Sequence, residues 1–384
     1  MKNAKYLFVI LFLIGTIFAY PQPEKKSLAE IYKGGIVRFI PELTLDDSSM
    51  PEEAFFEAVV DIACDNKGNI YISDYKACNI KKFDSSGKFI KIIGRKGQGP
   101  GEFNMPFWLA ATDDRLFVWD MMNMRLCALS LEGEFIKSVT FQIQEGRPQK
   151  LRSLPDGNIV IEMEKIYFGE ADRPQDCTIE IYSPSLEHKN TVYSQQVWPN
   201  RYMTIGSKGV NIPQPFSPLV YWDVAPDGKI VVGYSKNYEI EFYDAIKGKL
   251  FSFTHNYEPV KVTDEDKETF FGNIASPRDG VMLQRGASDF TRKNTEFPKL
   301  KPSFDGILVD SEGNILVRSY QKNRADERNF FDAFDSKGNF LGVVKIEGDT
   351  IFYSGVRIRE NYFWRQETDK EGLIKVVKYR ISGG

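Results

Sequence analysis

Short stretches of alternating apolar and polar residues recur along the chain, and each is bounded by polar turn residues. The first clear stretch covers residues 70–73, and a second strand-like stretch covers residues 79–84. Asp65, Asn69 and Gly87 stand beside them. These residue types suit tight turns, because Asp and Asn tolerate a left-handed backbone and Gly accepts positive φ. A repeated unit of turn, strand, turn and strand is typical of a β-propeller.

Equivalent turns mark further copies of this unit. They lie at residues 113–114, 156–157, 226–228, 311–313 and, more weakly, 360–361. We therefore predict an all-β fold, a six-bladed β-propeller with four antiparallel strands in each blade. The last copy lacks an outer strand, and residues 36–43 are expected to supply it from the N-terminus, which would leave no exposed inner edge. Because the two ends of the chain would depend on each other, we predict one domain over residues 20–384.

Two segments are too long to be simple connections between blades. They cover about residues 193–219 and 256–303. In the second, Thr263 followed by three acidic residues predicts the capped start of a helix. Long insertions in a compact domain are often functional, and we expect both to lie around the mouth of the central channel.

The first 19 residues predict a secretory signal peptide. Lys2 and Lys5 precede an apolar run over residues 7–14, and a small residue, Ala19, follows. The alternative is an uncleaved membrane anchor, which would need about twenty apolar residues. We therefore expect cleavage, a secreted or periplasmic protein, and no stable membrane insertion afterwards.

Charge and cysteine content narrow the functional classes. The formal net charge is −3 at pH 7, whereas a nucleic-acid-binding protein needs a basic surface, so no nucleic-acid partner is expected. The repeat distributes the four cysteines over three different blades, and none forms a C-x-x-C pair, so we predict free, partly buried thiols. They are Cys64, Cys78, Cys127 and Cys177.

The glycine-rich segment at residues 97–103, followed by Pro106, resembles the loop of an NHL-repeat protein. Residues 120–126, with Asn123 and Arg125, resemble the end of the same repeat. The resemblance is close over residues 59–139 and looser beyond. It implies a six-bladed propeller of the kind found in exported bacterial NHL-like and TolB-like proteins. It does not imply a function, because such folds host many.

Three carboxylates on the expected inner strands are candidate metal ligands: Asp61, Asp223 and Asp305. Six-bladed lactonases related to this fold hold calcium in the channel with Asp, Asn and Glu, and hard cations prefer oxygen ligands. The alternative is that these residues hydrogen-bond neighbouring strands. Apart from this calcium ion, no cofactor is expected.

The mouth of the channel is expected to be aromatic and basic. Its candidate ligand-binding residues are Trp108, Arg125, Tyr221, Trp222, Arg318 and Arg365. Arginines beside aromatic rings suit carboxylates, sugar acids or a peptide terminus. Alternatively, the aromatic residues pack between blades and the arginines pair with nearby acids.

We therefore predict a monomeric, extracytoplasmic propeller that binds a ligand or protein at the channel mouth, with no catalytic activity evident. The expected partner is a small anionic ligand, a glycan, or a peptide or protein. The alternative is a calcium-dependent, lactonase-like hydrolase or lyase that uses the channel carboxylates.

Overall fold

The computed structural model describes residues 26–165, 167, 173–205, 208–272, 275–278, 281–284, 288–320, 329–347, 357–359, 362–368 and 372–384. The predicted signal peptide and the weak turn at residues 360–361 lie outside the described residues. No helix among the residues described is long and apolar enough to cross a membrane.

The described chain begins with a short helix and a long strand, and three four-stranded blades follow. The first elements are α1 (Leu28–Lys33) and β1 (Ile36–Leu45), and a 3-10 turn covers Glu52–Ala54. Blade one contains β2 (Val59–Cys64), β3 (Ile70–Asp74), β4 (Asn79–Phe83) and β5 (Phe89–Ile93). Blade two contains β6 (Pro106–Ala111), β7 (Arg115–Asp120), β8 (Arg125–Ser130) and β9 (Phe135–Thr140). Blade three contains β10 (Arg147–Ser153), β11 (Ile159–Lys165), β12 (Gln175–Tyr182) and β13 (His188–Val197).

The remaining blades are separated by additional elements in both predicted insertions. A hairpin of β14 (Asn200–Ile205) and β15 (Lys208–Pro213) precedes blade four. Blade four contains β16 (Val220–Val224), β17 (Ile230–Tyr234), β18 (Glu239–Asp244) and β19 (Gly248–Thr254). The second insertion contains α2 (Asp264–Gly272), β20 (Ala275–Arg278), β21 (Val281–Gln284) and α3 (Asp289–Asn294). Blade five contains β22 (Phe304–Val309), β23 (Ile315–Ser319), β24 (Phe330–Phe334) and β25 (Phe340–Glu347). Blade six contains β26 (Arg357–Arg359), β27 (Tyr362–Thr368), β28 (Ile374–Gly383) and β1.

The N-terminal strand closes the ring as predicted. β1 pairs antiparallel with β28 and so forms the outer strand of blade six. Its first residues, Ile36 to Arg38, also pair in parallel with Lys345 to Glu347 of β25. The sequence pattern does not predict this second pairing. Blades five and six are consequently one continuous eight-stranded sheet, in which β1 is hydrogen-bonded on both sides.

Several of the tight turns owe their shape to an aspartate at their start. One carboxylate oxygen of Asp65 accepts hydrogen bonds from two backbone amides of its turn, and the other accepts one from the side-chain amide of Asn69. Gly68 has a φ of +81°, which a residue with a side chain rarely adopts. The same arrangement recurs at Asp310 and Asp335. Turns built this way connect inner to second strands, or third to outer strands.

Apolar side chains fill the space between neighbouring blades. Each of the six junctions contains a cluster of buried hydrophobic residues. The α1 helix adds Leu28, Ile31 and Tyr32 to the cluster between blades five and six. None of the four cysteines forms a disulfide; three of them are buried and Cys64 is partly exposed, as predicted.

The helix start predicted in the second insertion is present. Thr263 accepts a hydrogen bond from the Asp266 amide, and the Asp266 carboxylate accepts one from the Thr263 amide. This reciprocal cap satisfies two donors that would otherwise be unpaired at the start of α2.

Candidate functional site

Two cavities open at opposite ends of the ring. The upper cavity lies on the face where the inner strands begin, between blades three, four and five, and has a volume of about 480 Å³. The lower cavity lies on the face where the inner strands end, and has a volume of about 660 Å³. Residues of five inner strands or of the turns after them surround the lower cavity. Both volumes lie in the range of small-molecule sites.

The upper cavity has three walls, each supplied by one blade. Blade three contributes Gln149 and Lys150 from β10 and Glu162 and Glu164 from β11. Blade four contributes Tyr221 and Trp222, the second and third residues of β16. Blade five contributes Asp305 from β22 and Arg318 from β23. These side chains converge because every inner strand begins, and every second strand ends, on the same face.

The blade-three wall holds a carboxyl group in an apolar setting. Glu162 Oε2 accepts a hydrogen bond of 2.7 Å from the Trp222 indole N–H, and its Oε1 lies 3.9 Å from the Cys177 sulfur. Lys150 donates to the Trp222 carbonyl oxygen, and its ammonium lies 4.7 Å from the centre of the Trp222 ring. Burial raises the pKa of Glu162 above its ordinary value and outweighs the indole and Lys150, which favour the ionised form.

Glu164 lies two residues further along the same face of β11. It accepts hydrogen bonds from Arg147 and Gln149, at 3.1 and 2.8 Å. The two carboxyl groups of this strand therefore differ in their surroundings, since Glu164 has cationic and amide donors whereas Glu162 has an indole and a thiol.

The blade-five wall carries an ion pair. Arg318 Nε lies 2.5 Å from Asp305 Oδ1, and Arg318 Nη2 donates to the Asp305 carbonyl oxygen at 3.2 Å. The aromatic side chain of Tyr221 packs edge-on against Phe304, with ring centroids 5.9 Å apart. Burial is the main cause of the raised pKa of Tyr221, and the Asp305 carboxylate is the second cause. This phenol is therefore a neutral hydrogen-bonding group.

A buried ion pair lies between the two cavities. Arg152 Nε is 2.9 Å from Asp223 Oδ1, and both side chains are 9% exposed. Arg152 lines both cavities, and Asp223 lines the lower one. Burial opposes ionisation of Asp223, but Lys150, Arg152 and the Val309 amide together lower its pKa. The charged pair joins the inner strands of blades three, four and five.

Both predicted insertions contact the surroundings of the upper cavity. Val197, Pro199 and Leu219, near the two ends of the first insertion, line it. The second insertion is anchored by Lys301, whose ammonium lies 2.8 Å from Asp266 of α2 and 5.0 Å from the ring centre of Tyr320. Burial is the main cause of the raised pKa of Tyr320, and the Asp305 carboxylate is the second cause.

The predicted ligand-binding residues do not form one cluster. Tyr221, Trp222 and Arg318 line the upper cavity together. Trp108 lies in the core between blades two and three. Arg125 donates to three carbonyl oxygens of the loop at residues 98–102.

Arg365 forms an ion pair with Glu367 of its own strand. Arg318 is likewise paired, with Asp305. For these arginines, the alternative interpretation, in which each pairs with a neighbouring group of the protein, describes the observed contacts.

Each of the three predicted metal ligands has a hydrogen-bond or ion-pair partner within the protein. Asp61 accepts the Leu109 amide of the next inner strand at 2.8 Å. Asp223 accepts the Val309 amide at 3.1 Å in addition to Arg152, and Asp305 pairs with Arg318. Among the residues the structure describes, no three His, Cys, Asp or Glu side chains are placed to share a metal ion. The carboxylates at positions 61 and 223 instead join neighbouring blades.

Sequence reasoning missed Lys150, Glu162 and Glu164. A signal was available: β10 carries three cations, Arg147, Lys150 and Arg152. In β11, two glutamates alternate with buried Ile161 and Met163, so they must face away from the core between blades.

The comparisons with known proteins agree with the fold. The family model DUF5128, described as a 6-bladed beta-propeller, matches residues 37–172, which contain β1, blades one and two and part of blade three. No curated protein matches the sequence. The finer resemblance to NHL-repeat and TolB-like proteins remains a prediction.

Solved structures also resemble the chain. A member of the DUF4221 family from Bacteroides vulgatus is 12% identical, covers 91% of this chain and 100% of its own, and has a TM-score of 0.53. A candidate exported protein from Bacteroides fragilis is 13% identical, with coverage of 90% and 99% and a TM-score of 0.49. A gluconolactonase from Xanthomonas campestris is 10% identical, with coverage of 89% and 97% and a TM-score of 0.40. At these identities the similarity concerns the fold alone.

Proposed function

We propose that the protein is an extracytoplasmic propeller that binds a neutral, hydroxyl-rich ligand, a glycan, in the upper cavity. The observation that carries this proposal is the balance of charges in the cavity walls. Lys150, Arg152 and Arg318 are cationic, but Arg152 and Arg318 each have a carboxylate partner. Glu162 and Glu164 add further acidic groups.

An anionic ligand would therefore meet carboxyl groups on two walls. Burying another negative charge there is costly, because each cation already contacts an acceptor of the protein. A sugar hydroxyl, in contrast, can both donate and accept. It can accept from Gln149 or Arg318 and donate to Glu164 or Asp305, without displacing a charge.

The apolar part of the cavity supports the same ligand class. Tyr221 is partly exposed and lines the cavity together with Val197, Pro199 and Leu219. The C–H face of a sugar ring can pack against such a surface while its hydroxyls reach the polar rim. Export is supported by the signal-like N-terminal segment of the sequence.

The test is binding of the purified protein to an array of immobilised neutral oligosaccharides, followed by calorimetric titration with those retained. Tyr221→Ala should weaken binding by about ten-fold, which corresponds to about 1.4 kcal/mol of lost contact. Tyr75→Ala is the matched control, because Tyr75 also packs against a phenylalanine ring, Phe107, at 6.1 Å. Equal binding by both variants would contradict the location of the site. Binding of small carboxylates in place of sugars would contradict the ligand class.

A further inference from the structure

We propose that the upper cavity also hydrolyses the glycan it binds, with Glu162 as the proton donor and Asp305 as the carboxylate that receives the proton of the attacking water. This inference rests on the proposed binding of a glycan and adds a reaction to it. It uses two carboxyl groups that lie on different walls of one cavity.

The positions of the two carboxyl groups in the cavity support these roles. Glu162 belongs to blade three and Asp305 to blade five, and the inner strand of blade four lies between them with Tyr221 and Trp222. A ligand held against Tyr221 would have one carboxyl group on each side. Glycoside hydrolysis commonly uses two carboxyl groups that flank the bond to be broken.

The surroundings of Glu162 and Asp305 also differ. The indole N–H of Trp222 holds Glu162 Oε2 in place, so Oε1 is the oxygen that can carry a proton. The charged groups that act on this carboxyl are Lys150 of β10, which favours its ionised form, and Glu164 of its own strand, which opposes it. Burial is the largest effect, and the pKa of Glu162 is raised. Asp305 has the Arg318 guanidinium at 2.5 Å as a counter-charge. Two carboxyl groups whose surroundings differ in this way are suited to separate acid and base roles.

The reaction balances with water as the second reactant. Glu162 donates its proton to the leaving oxygen as the bond between that oxygen and the anomeric carbon breaks. The water oxygen bonds to the anomeric carbon, and its proton passes to Asp305. The products are two sugars with free hydroxyls, and exchange of protons with solvent restores Glu162 to its acid form and Asp305 to its anion.

The experiment uses gluco-, manno-, galacto- and xylo-oligosaccharides, and measures new reducing ends together with calorimetric binding. The unmodified protein should release reducing ends from the oligosaccharide that it binds. Glu162→Gln should bind this oligosaccharide as before but cleave it about 10²–10⁴-fold more slowly, the usual contribution of a positioned acid. Glu180→Gln is the control, since Glu180 is in the same blade and hydrogen-bonds Thr178 and Tyr182.

A second substrate separates an acid from a merely structural residue. A 2,4-dinitrophenyl glycoside has a leaving group that needs little protonation, so Glu162→Gln should cleave it much better, relative to the unmodified protein, than it cleaves the oligosaccharide. An equal loss on both substrates would overturn the acid role. Asp305→Asn should lose activity on both.

The outcomes distinguish the two proposals. If an oligosaccharide binds in the upper cavity and no reducing ends appear, the hydrolysis proposal is wrong and the binding proposal stands. If none of the oligosaccharides binds, both are wrong. If Glu162→Gln cleaves as fast as the unmodified protein, Glu162 is not the acid.

Discussion

Arg152→Met should lower the melting temperature by about 4 °C, because it removes the cation from the buried pair between the two cavities. Breaking a buried ion pair by removing one partner typically costs about 3–5 kcal/mol. The lower end applies here, since Asp223 keeps the Val309 amide and the nearby Lys150. An unfolding entropy of about 2.1 cal/mol/K per residue gives about 0.8 kcal/mol/K for 384 residues. A loss of about 3 kcal/mol then corresponds to about 4 °C.

The matched control is Arg38→Met. Arg38 pairs with Glu347 at 2.6 Å, but the side chains are 52% and 43% exposed, so its loss should cost under about 1 kcal/mol. The double variant Arg152→Met, Asp223→Asn should be more stable than the sum of the two single changes predicts, because both act on one interaction.

The assay is differential scanning calorimetry at pH 7 and again at lower pH. The lowered pKa of Asp223 means that its contribution to stability is present above the ordinary aspartate pKa, about 3.9, and is lost as pH falls through the lower folded value. The deficit of Arg152→Met should therefore shrink in strong acid. Melting of this variant at the same temperature as Arg38→Met at pH 7 would refute the argument.

Three further predictions concern individual residues. Glu162→Gln should melt at nearly the same temperature as the unmodified protein near pH 4 and at a higher temperature at pH 7. Above about pH 4.3 the Glu162 carboxyl releases its proton freely only in the unfolded chain, which favours unfolding of the unmodified protein. A pH series of melting curves checks this, and a variant that melts at a lower temperature at pH 7 contradicts it. In thiol titration with a coloured disulfide reagent, Cys64 should react before Cys127, since burial raises the pKa of Cys127 to about 12; the reverse order, read by mass spectrometry, would refute this. In urea unfolding, Gly338→Ala should lower the free energy of unfolding more than Gly248→Ala does. Both glycines have positive φ, but a Cβ at Gly338 would lie 2.4 Å from a phenylalanine ring carbon, whereas nothing lies within 4 Å of a Cβ at Gly248. Equal losses of stability would show that backbone strain alone decides the cost.

The fold could be predicted because its information is local and repeated. A turn such as that of Asp65, Gly68 and Asn69 is stabilised by contacts within five residues, and the same pattern recurs at residues 310–314 and 335–339. Counting copies then indicated an outer strand from the N-terminus. The parallel pairing of β1 with β25 was not predicted, because it involves only three residue pairs and leaves no pattern of its own.

The site was only partly predictable, for a physical reason. Strand direction alone placed Tyr221, Trp222 and Arg318 on one face, and they do share a cavity. Which charged groups form pairs depends on how neighbouring blades pack. Arg152 and Asp223, for example, form an ion pair although they are 71 positions apart in the sequence. Asp305, in contrast, pairs with Arg318 of the next strand in its own blade, 13 positions away in the sequence.

The position of β1 has a consequence for the order in which the chain can fold. Blades one to four consist of consecutive strands, so each can form as soon as its own segment is available. β1, however, pairs with residues 345–347 and 376–383, more than 300 positions away. Such distant contacts form slowly, because a long loop must be closed before they stabilise anything. We therefore expect closure at β1 to be the last folding step, and the seam between blades five and six to decide how long the closed ring survives.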